Sequence, residues 1–129
     1  MKPSTTSPAS APASSITLTE ARDVAIRARN LILDKKGRNT IIFDLRGESS
    51  ITDYMIIASG VTPPQLKAMA NELKRGLKEN SVSLYRQSGQ PDDGWVVMDY
   101  VDVVVHLFLD EVRTYYAIEE LWSTLPVVE

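Results

Sequence analysis

ITDYMIIASGVTPPQLKAMANEL (51–73) decides the fold. Its first half is β-rich and apolar on both faces from about Asp53 to Ala58, the pattern of a central strand covered on two sides. Gly60 to Pro64 breaks the chain. Thr62-Pro63-Pro64-Gln65 then reads as a helix start, with Pro tolerated in the first turn and Gln65 in the capping-box place. Leu66, Met69, Ala70, Leu73 and Leu77 form one helical stripe. Asn80 is placed to end that helix in the left-handed region.

Downstream, VSLYR (82–86) reads as a third strand, so strand two, helix two and strand three predict a right-handed parallel crossover. QSGQPDDG (87–94) is a polar loop. WVVMD (95–99) and VVVHLFL (103–109) are strands joined by a tight turn near Tyr100-Val101, hence antiparallel. Asp110 can cap a last helix whose apolar members are Val112, Tyr115, Ile118, Leu121, Trp122 and Leu125. Upstream, TIIFDL (40–45) is a strand and Arg46 to Ser50 a loop. A first helix opens at Thr17 with Glu20 in the capping-box position. Leu18, Ala21, Ala25, Ala28 and Ile32 recur at helical spacing, and Lys35-Lys36-Gly37 makes a favourable stop. The order α-β-β-α-β-β-β-α predicts an α/β fold, a mixed five-stranded sheet with helices on its faces.

Composition bounds the chemistry. In 129 residues there are 14 Lys+Arg, 17 Asp+Glu, one His and no Cys. The net charge of −3 argues against a protein held on nucleic acid by a surplus of clustered cations. Disulfides, Cys-ligated zinc, iron–sulfur clusters and thiol nucleophiles are excluded. No apolar run approaches the ~18–20 residues of a membrane span. Residues 1–15, MKPSTTSPASAPASS, hold no large apolar side chain beyond Met1 and predict a disordered tail. They have neither an apolar signal core nor the Arg-rich amphipathic period of a presequence, which favours a bacterial cytoplasm. Residues 16–129 form the one predicted domain. Removing Lys2 leaves 13 cations against 17 anions there, 13 − 17 = −4.

Four constellations could carry function. Asp99, Asp102 and His106 could bind a divalent metal or do acid/base work. However, Asp side chains also stabilise tight turns, and on an ideal strand Asp102 and His106 lie ~13 Å apart at ~3.3 Å per residue. SGVTPP (59–64) could hold an anion on helix N-terminal amides, but it has one Gly, no Lys and two prolines, so a plain connector reads better. Trp95 and Tyr100, beside a loop and a turn, are open to two readings, core packing or interface anchor. RTYYAIEELW (113–122) reads as an amphipathic helix, with Glu119 and Glu120 on its solvated face.

SSITDYMIIASG (49–60), WVVMDYVDVVVHLF (95–108) and RTYYAIEELW, in that order and spacing, resemble the ribosomal silencing factor family, also called Iojap-like. The resemblance spans about residues 18–125. It implies a nucleotidyltransferase-like fold without that activity, no cofactor and no metal. It also implies binding to large-subunit ribosomal protein fourteen, where the small subunit docks, with repression of translation by blocking subunit joining, and often a homodimer. Direct sequence-specific nucleic-acid binding is not implied. Family members usually carry Gly where this chain has Val101, which speaks against a positive-φ turn here, since a β-branched residue resists it. The Gly-Ser turn and Asp-x-Asp pair that a two-metal nucleotidyltransferase needs are missing, as Gly60 precedes Val61. From residue type, the partner-binding set is Trp95, Asp99, Tyr100, Asp102 and His106, with Asp53 and Ser59 as weaker candidates. Tyr116 and Trp122 read as structural. The alternative is a metal-dependent nucleotidyltransferase-like enzyme using Asp99, Asp102 and His106.

Overall fold

The structure, a computed structural model, describes residues 16–116, 120 and 125–128. The tail 1–15 and the centre of the last predicted helix, with Ile118, Glu119, Leu121 and Trp122, lie outside the described residues. The elements are α1 (Ala21–Asp34), β1 (Arg38–Asp44), β2 (Tyr54–Gly60), α2 (Pro63–Glu79) and β3 (Arg86–Ser88). A 3-10 turn (Pro91–Asp93), β4 (Trp95–Asp99), β5 (Val103–Leu109), α3 (Asp110–Tyr116) and β6 (Val127–Val128) follow. No described helix is long and apolar enough to cross a membrane.

The sheet is mixed and ordered β3-β4-β5-β2-β1-β6. It has six strands, not five, because Val127 and Val128 pair with Phe43 and Ile42 on β1. A two-residue strand carries no readable alternation. At the centre β2 and β5 run parallel from Tyr54↔Val103 to Gly60↔Leu109. All seven residues of β2 are buried, as its two-faced apolar pattern requires. The crossover through α2 does not deliver β3 beside β2. β3 keeps the parallel direction but lies at the sheet edge, with β4 and β5 inserted between. It also begins late, at Arg86 rather than Val82. Arg86 faces Asp99, the last residue of β4, so residues 82–85 lie beyond the end of their partner strand.

The start of the first helix and the end of the second, which meet each other, both depart from the sequence reading. The first helix starts at Ala21, and its N-cap Glu20 makes no side-chain cap bond. Thr17 instead places Oγ1 3.3 Å from Ser81 Oγ, and the Leu18 N–H donates to the Asn80 carbonyl. Asn80 has φ −96°, and the left-handed residue is Ser81 at φ 63°. The reason is that the Asn80 side chain, fully buried, serves as a clamp. Its Oδ1 accepts from Arg27 Nε at 3.1 Å and its Nδ2 donates to the Ile16 carbonyl. At the end of α1, Lys36 takes the left-handed conformation (φ 65°). Gly37 is needed for space, since a Cβ there would sit 2.2 Å from Ile32 Cγ2.

Helix α2 starts as read. Thr62 Oγ1 accepts from the Gln65 N–H, and Gln65 Oε1 accepts from the Val61 N–H at 2.7 Å. The Gln65 amide also donates to the Lys35 and Lys36 carbonyls, tying the two helix ends together. Helices α1 and α2 cover one face through Ala25, Ala28, Leu31, Ile32, Leu66, Met69, Leu73 and Leu77, packed on Tyr54, Ile56, Val96, Met98, Val105 and Leu107. A smaller cluster of Phe43, Leu45, Met55, Ile57 and Phe108 occupies the other face, with Val112 and Leu125 against it. Thus α2 leaves β2 toward one face, and α3 leaves β5 toward the other.

Candidate functional site

Alternation along β4 and β5 divides their side chains between the two faces. Val96, Met98, Val103, Val105 and Leu107 enter the core under α1 and α2. Trp95, Val97 and Asp99, with Val104, His106 and Phe108, point the opposite way. The register sets Trp95 beside Phe108, Val97 beside His106 and Asp99 beside Val104. Val112 and Leu125 pack onto this second cluster, to which Phe108 belongs. Trp95, Val97, Asp99 and Val104 remain half-buried. A shallow hollow of about 350 Å³ lies beside them, lined by Ser88, Gly89, Asp93, Trp95 and Val97.

The face is ordered by one aromatic group. Trp95 Nε1 donates to His106 Nδ1 at 3.1 Å. The His106 ring stacks on Phe108 (centroids 6.1 Å, 10° between planes), and Trp95 lies 4.9 Å from Phe108. Accepting at Nδ1 leaves the proton of neutral His106 on Nε2. Burial pushes the His106 pKa down to about 4, so the ring is uncharged near pH 7. Gly89 makes room for this arrangement. It has φ 82°, and a Cβ would sit 2.1 Å from the Trp95 carbonyl oxygen.

The turn between the strands is tighter than expected. The Asp102 N–H donates to the Tyr100 carbonyl (3.0 Å) across Val101, whose φ is 74°. This is a γ-turn of the strained, positive-φ kind, and it corrects the expectation that a valine would resist such a conformation. Asp99 Oδ1 accepts from the Val101 N–H at 2.8 Å and pins the turn. The Asp102 carbonyl accepts from the Asp53 and Tyr54 N–H groups, fastening the turn to the start of β2.

The seven candidate residues therefore separate. Trp95, His106 and Asp99 share one face. Asp102 is exposed in the turn and Asp53 half-buried beside it. Tyr100 is only 6% exposed and sits in the α1–α2 core, so it is no surface anchor as folded. Burial there pushes its hydroxyl pKa up. Ser59 is fully buried and its Oγ accepts from Arg113 Nη1 (2.8 Å), which also donates to the Asn39 carbonyl. Sequence reasoning passed over Val97 and Val104, though alternation places them on the same face. It also passed over Arg113, whose burial no local pattern announces.

Two alternative chemistries find no support in the geometry. Among the described residues no three His, Asp or Glu side chains gather as a metal site. Asp99 and His106 are two pairing positions apart, and Asp102 is in the turn. At SGVTPP the side chains of Thr62 and Gln65 already take the helix-start amides. The crevice at the carboxyl ends of β2 and β5, where such folds often bind ligands, measures about 510 Å³. Arg38 and Asp110 pair at its rim (3.0 Å).

Against known proteins, a family model described as ribosomal silencing factor during starvation matches residues 18–129. The ribosomal silencing factor of Halalkalibacterium halodurans is 37% identical over 102 residues, covering 79% of this chain and 87% of that one. That of Chromobacterium violaceum is 38% identical over 104 residues, covering 81% and 85%. A mouse protein named for mitochondrial assembly of the ribosomal large subunit is 30% identical over 73% of this chain and 42% of its own length. A crystal structure from Chromobacterium violaceum superposes with a TM-score of 0.77 at 38% identity, covering 81% of this chain and 87% of that one. One from Bacillus halodurans gives 0.73 at 34%, covering 84% and 98%. By the match over residues 18–129 and by its relatives, the chain is a member of the ribosomal silencing factor family.

Proposed function

We propose that this protein represses translation by binding the large ribosomal subunit through ribosomal protein fourteen, blocking the small subunit sterically. The observation that carries this reading is the match of residues 18–129 to a family named for ribosomal silencing. The mouse relative, named for large-subunit assembly, supports the large subunit as partner. The kinship to nucleotidyltransferases, a homodimer and a cytoplasmic location belong to the same reading.

The half-open face suits such a role. Trp95 is a rigid aromatic anchor of the type that dominates interface energetics. Val97 and Val104 supply apolar area around it, and Asp99, Asp53 and Asp102 give an acidic rim. A standard interface takes ~800 Å² per partner, within reach of a body this size. The balance of −4 over residues 16–129 complements a basic ribosomal protein, which raises association rate and specificity more than affinity. No bond is made or broken, since occupying the site is sufficient.

The test is light scattering of purified subunits as they reassociate, with and without the protein. Slowed or reduced reassociation is expected when the protein is preincubated with large subunits. Unchanged reassociation would remove the silencing reading. A pull-down with isolated ribosomal protein fourteen checks the named partner.

A further inference from the structure

The exposed face of α2 carries a line of cations that the Trp95 face does not use. Lys67, Asn71, Lys74 and Lys78 follow at i, i+4, i+7 and i+11, the spacing of one helix face, and all four are exposed. Lys67 and Lys78 lie ~16 Å apart along the axis at ~1.5 Å per residue. The acids of the same helix lie on another face and are committed. Arg75 binds Glu72 at 2.7 Å and Glu79 at 2.8 Å. Among the described residues, Lys67, Lys74 and Lys78 have no ion-pair partner.

The first part of the line, Lys67 to Lys74, is also one wall of a groove. It measures about 530 Å³ and runs between α2 and the segment after β3. Lys67, Asn71 and Lys74 face Gln87, Gln90 and Asp92 across it. Lys67 and Lys74 against the one lining carboxylate, Asp92, leave a surplus of one positive charge in the groove, and Lys78 adds a second beyond its end, on a chain of net −3. Lysines with side-chain amides around them match the donors that hold phosphate and sugar oxygens, without reading base sequence.

We propose that this α2 face contacts the phosphate backbone of ribosomal RNA beside the protein-binding face. The inference rests on the ribosomal reading above and deepens it. The protein face would select the partner, and the lysines would add a sequence-independent, salt-sensitive attachment. An acidic protein surface is the competing occupant.

The experiment uses the full chain and the triple variant Lys67→Gln/Lys74→Gln/Lys78→Gln. All three positions are exposed, and circular dichroism checks that the fold is kept. Binding is measured between 50 and 200 mM KCl, to intact large subunits and to RNA extracted from them. Three phosphate contacts give a log–log salt slope of about −2 to −3, so the unaltered protein loses roughly 20- to 40-fold in affinity over that range. The variant should lose most of that slope on both targets. Equal affinity and slope for both proteins would overturn the proposal. So would a variant defect on intact subunits with no binding of extracted RNA, since the occupant is then an acidic protein. Lysine-dependent binding to extracted RNA, without binding to intact subunits, would uphold the RNA contact and remove the ribosomal reading.

Discussion

Trp95 and His106 lie on adjacent antiparallel strands and are joined by an indole N–H donating to Nδ1 at 3.1 Å. The bond fixes the tautomer of a histidine that burial holds neutral, with a pKa of about 4. A histidine with this lowered pKa binds fewer protons folded than unfolded between pH 6.5 and 4. Stability therefore rises with pH through that window and is complete above it.

Lowering the pH from 7 to 5 should accordingly cost about 2 kcal/mol through His106 alone. Urea unfolding at the two pH values measures this. The His106→Gln variant should lose most of the difference. A variant that keeps it would place the titration on another group.

Trp95→Ala should weaken large-subunit binding by at least ~2 kcal/mol, the level that marks a dominant interface residue. Because Trp95 also packs on Phe108, a second variant separates binding from folding. Val97→Lys puts a charge on the same half-open face with little loss of packing. Co-sedimentation with large subunits should fall for both variants. Unchanged sedimentation of both would move the interface elsewhere.

Val101→Gly should stabilise the protein. A valine at φ 74° carries about 1–3 kcal/mol of backbone strain, while glycine costs roughly 0.5–1 kcal/mol in chain entropy. The side chain is 52% exposed, so little packing is lost. A gain near ~1 kcal/mol should appear as a Tm higher by about 3–5 °C. An unchanged or lower Tm would mean that the valine side chain makes a compensating contact.

Gly89→Ala should do the opposite. Its Cβ would sit 2.1 Å from the Trp95 carbonyl oxygen, a backbone atom, at a φ of 82° that L side chains rarely adopt. A loss above ~2 kcal/mol is expected, within the range of large single-site effects, together with an altered Trp95 fluorescence spectrum. A fluorescence spectrum like that of the unaltered protein would show that the strand shifts as a unit.

Asn80→Ala should release the segment before α1. The buried amide bonds Arg27 Nε and the Ile16 carbonyl, and leaving such groups unsatisfied costs about 1–3 kcal/mol. Faster hydrogen exchange at the Leu18 amide is the local readout.

The strongly periodic elements were legible in the sequence. The strands Trp95–Asp99 and Val103–Leu109 match their reading, and α2 starts where Thr62 and Gln65 place it. What was not legible depends on partners distant in sequence. β6 exists only because β1 offers an edge, and β3 begins only where Asp99 can face it. Asn80 leaves its helix-end role because Arg27 and Ile16 engage it. The site divides in the same way. Alternation could place Trp95, Asp99 and His106 on one face. Carried one step past the strand's end, the same alternation puts Tyr100 with Val96 and Met98 in the core, but it could not show that Arg113 reaches Ser59 54 positions away.

The two margins of the sheet limit how copies of this protein can meet. One margin is β3, three residues long, bearing the charged Arg86 and leading to the left-handed Gly89. The other is β6, two residues long, lying over a β1 that is irregular in register between Arg38 and Ile41. Among the described residues neither offers the long, flat row of free amides and carbonyls on which strands of separate chains add to one another. Self-association by sheet extension is thereby disfavoured, and a second copy would have to meet a face of the fold.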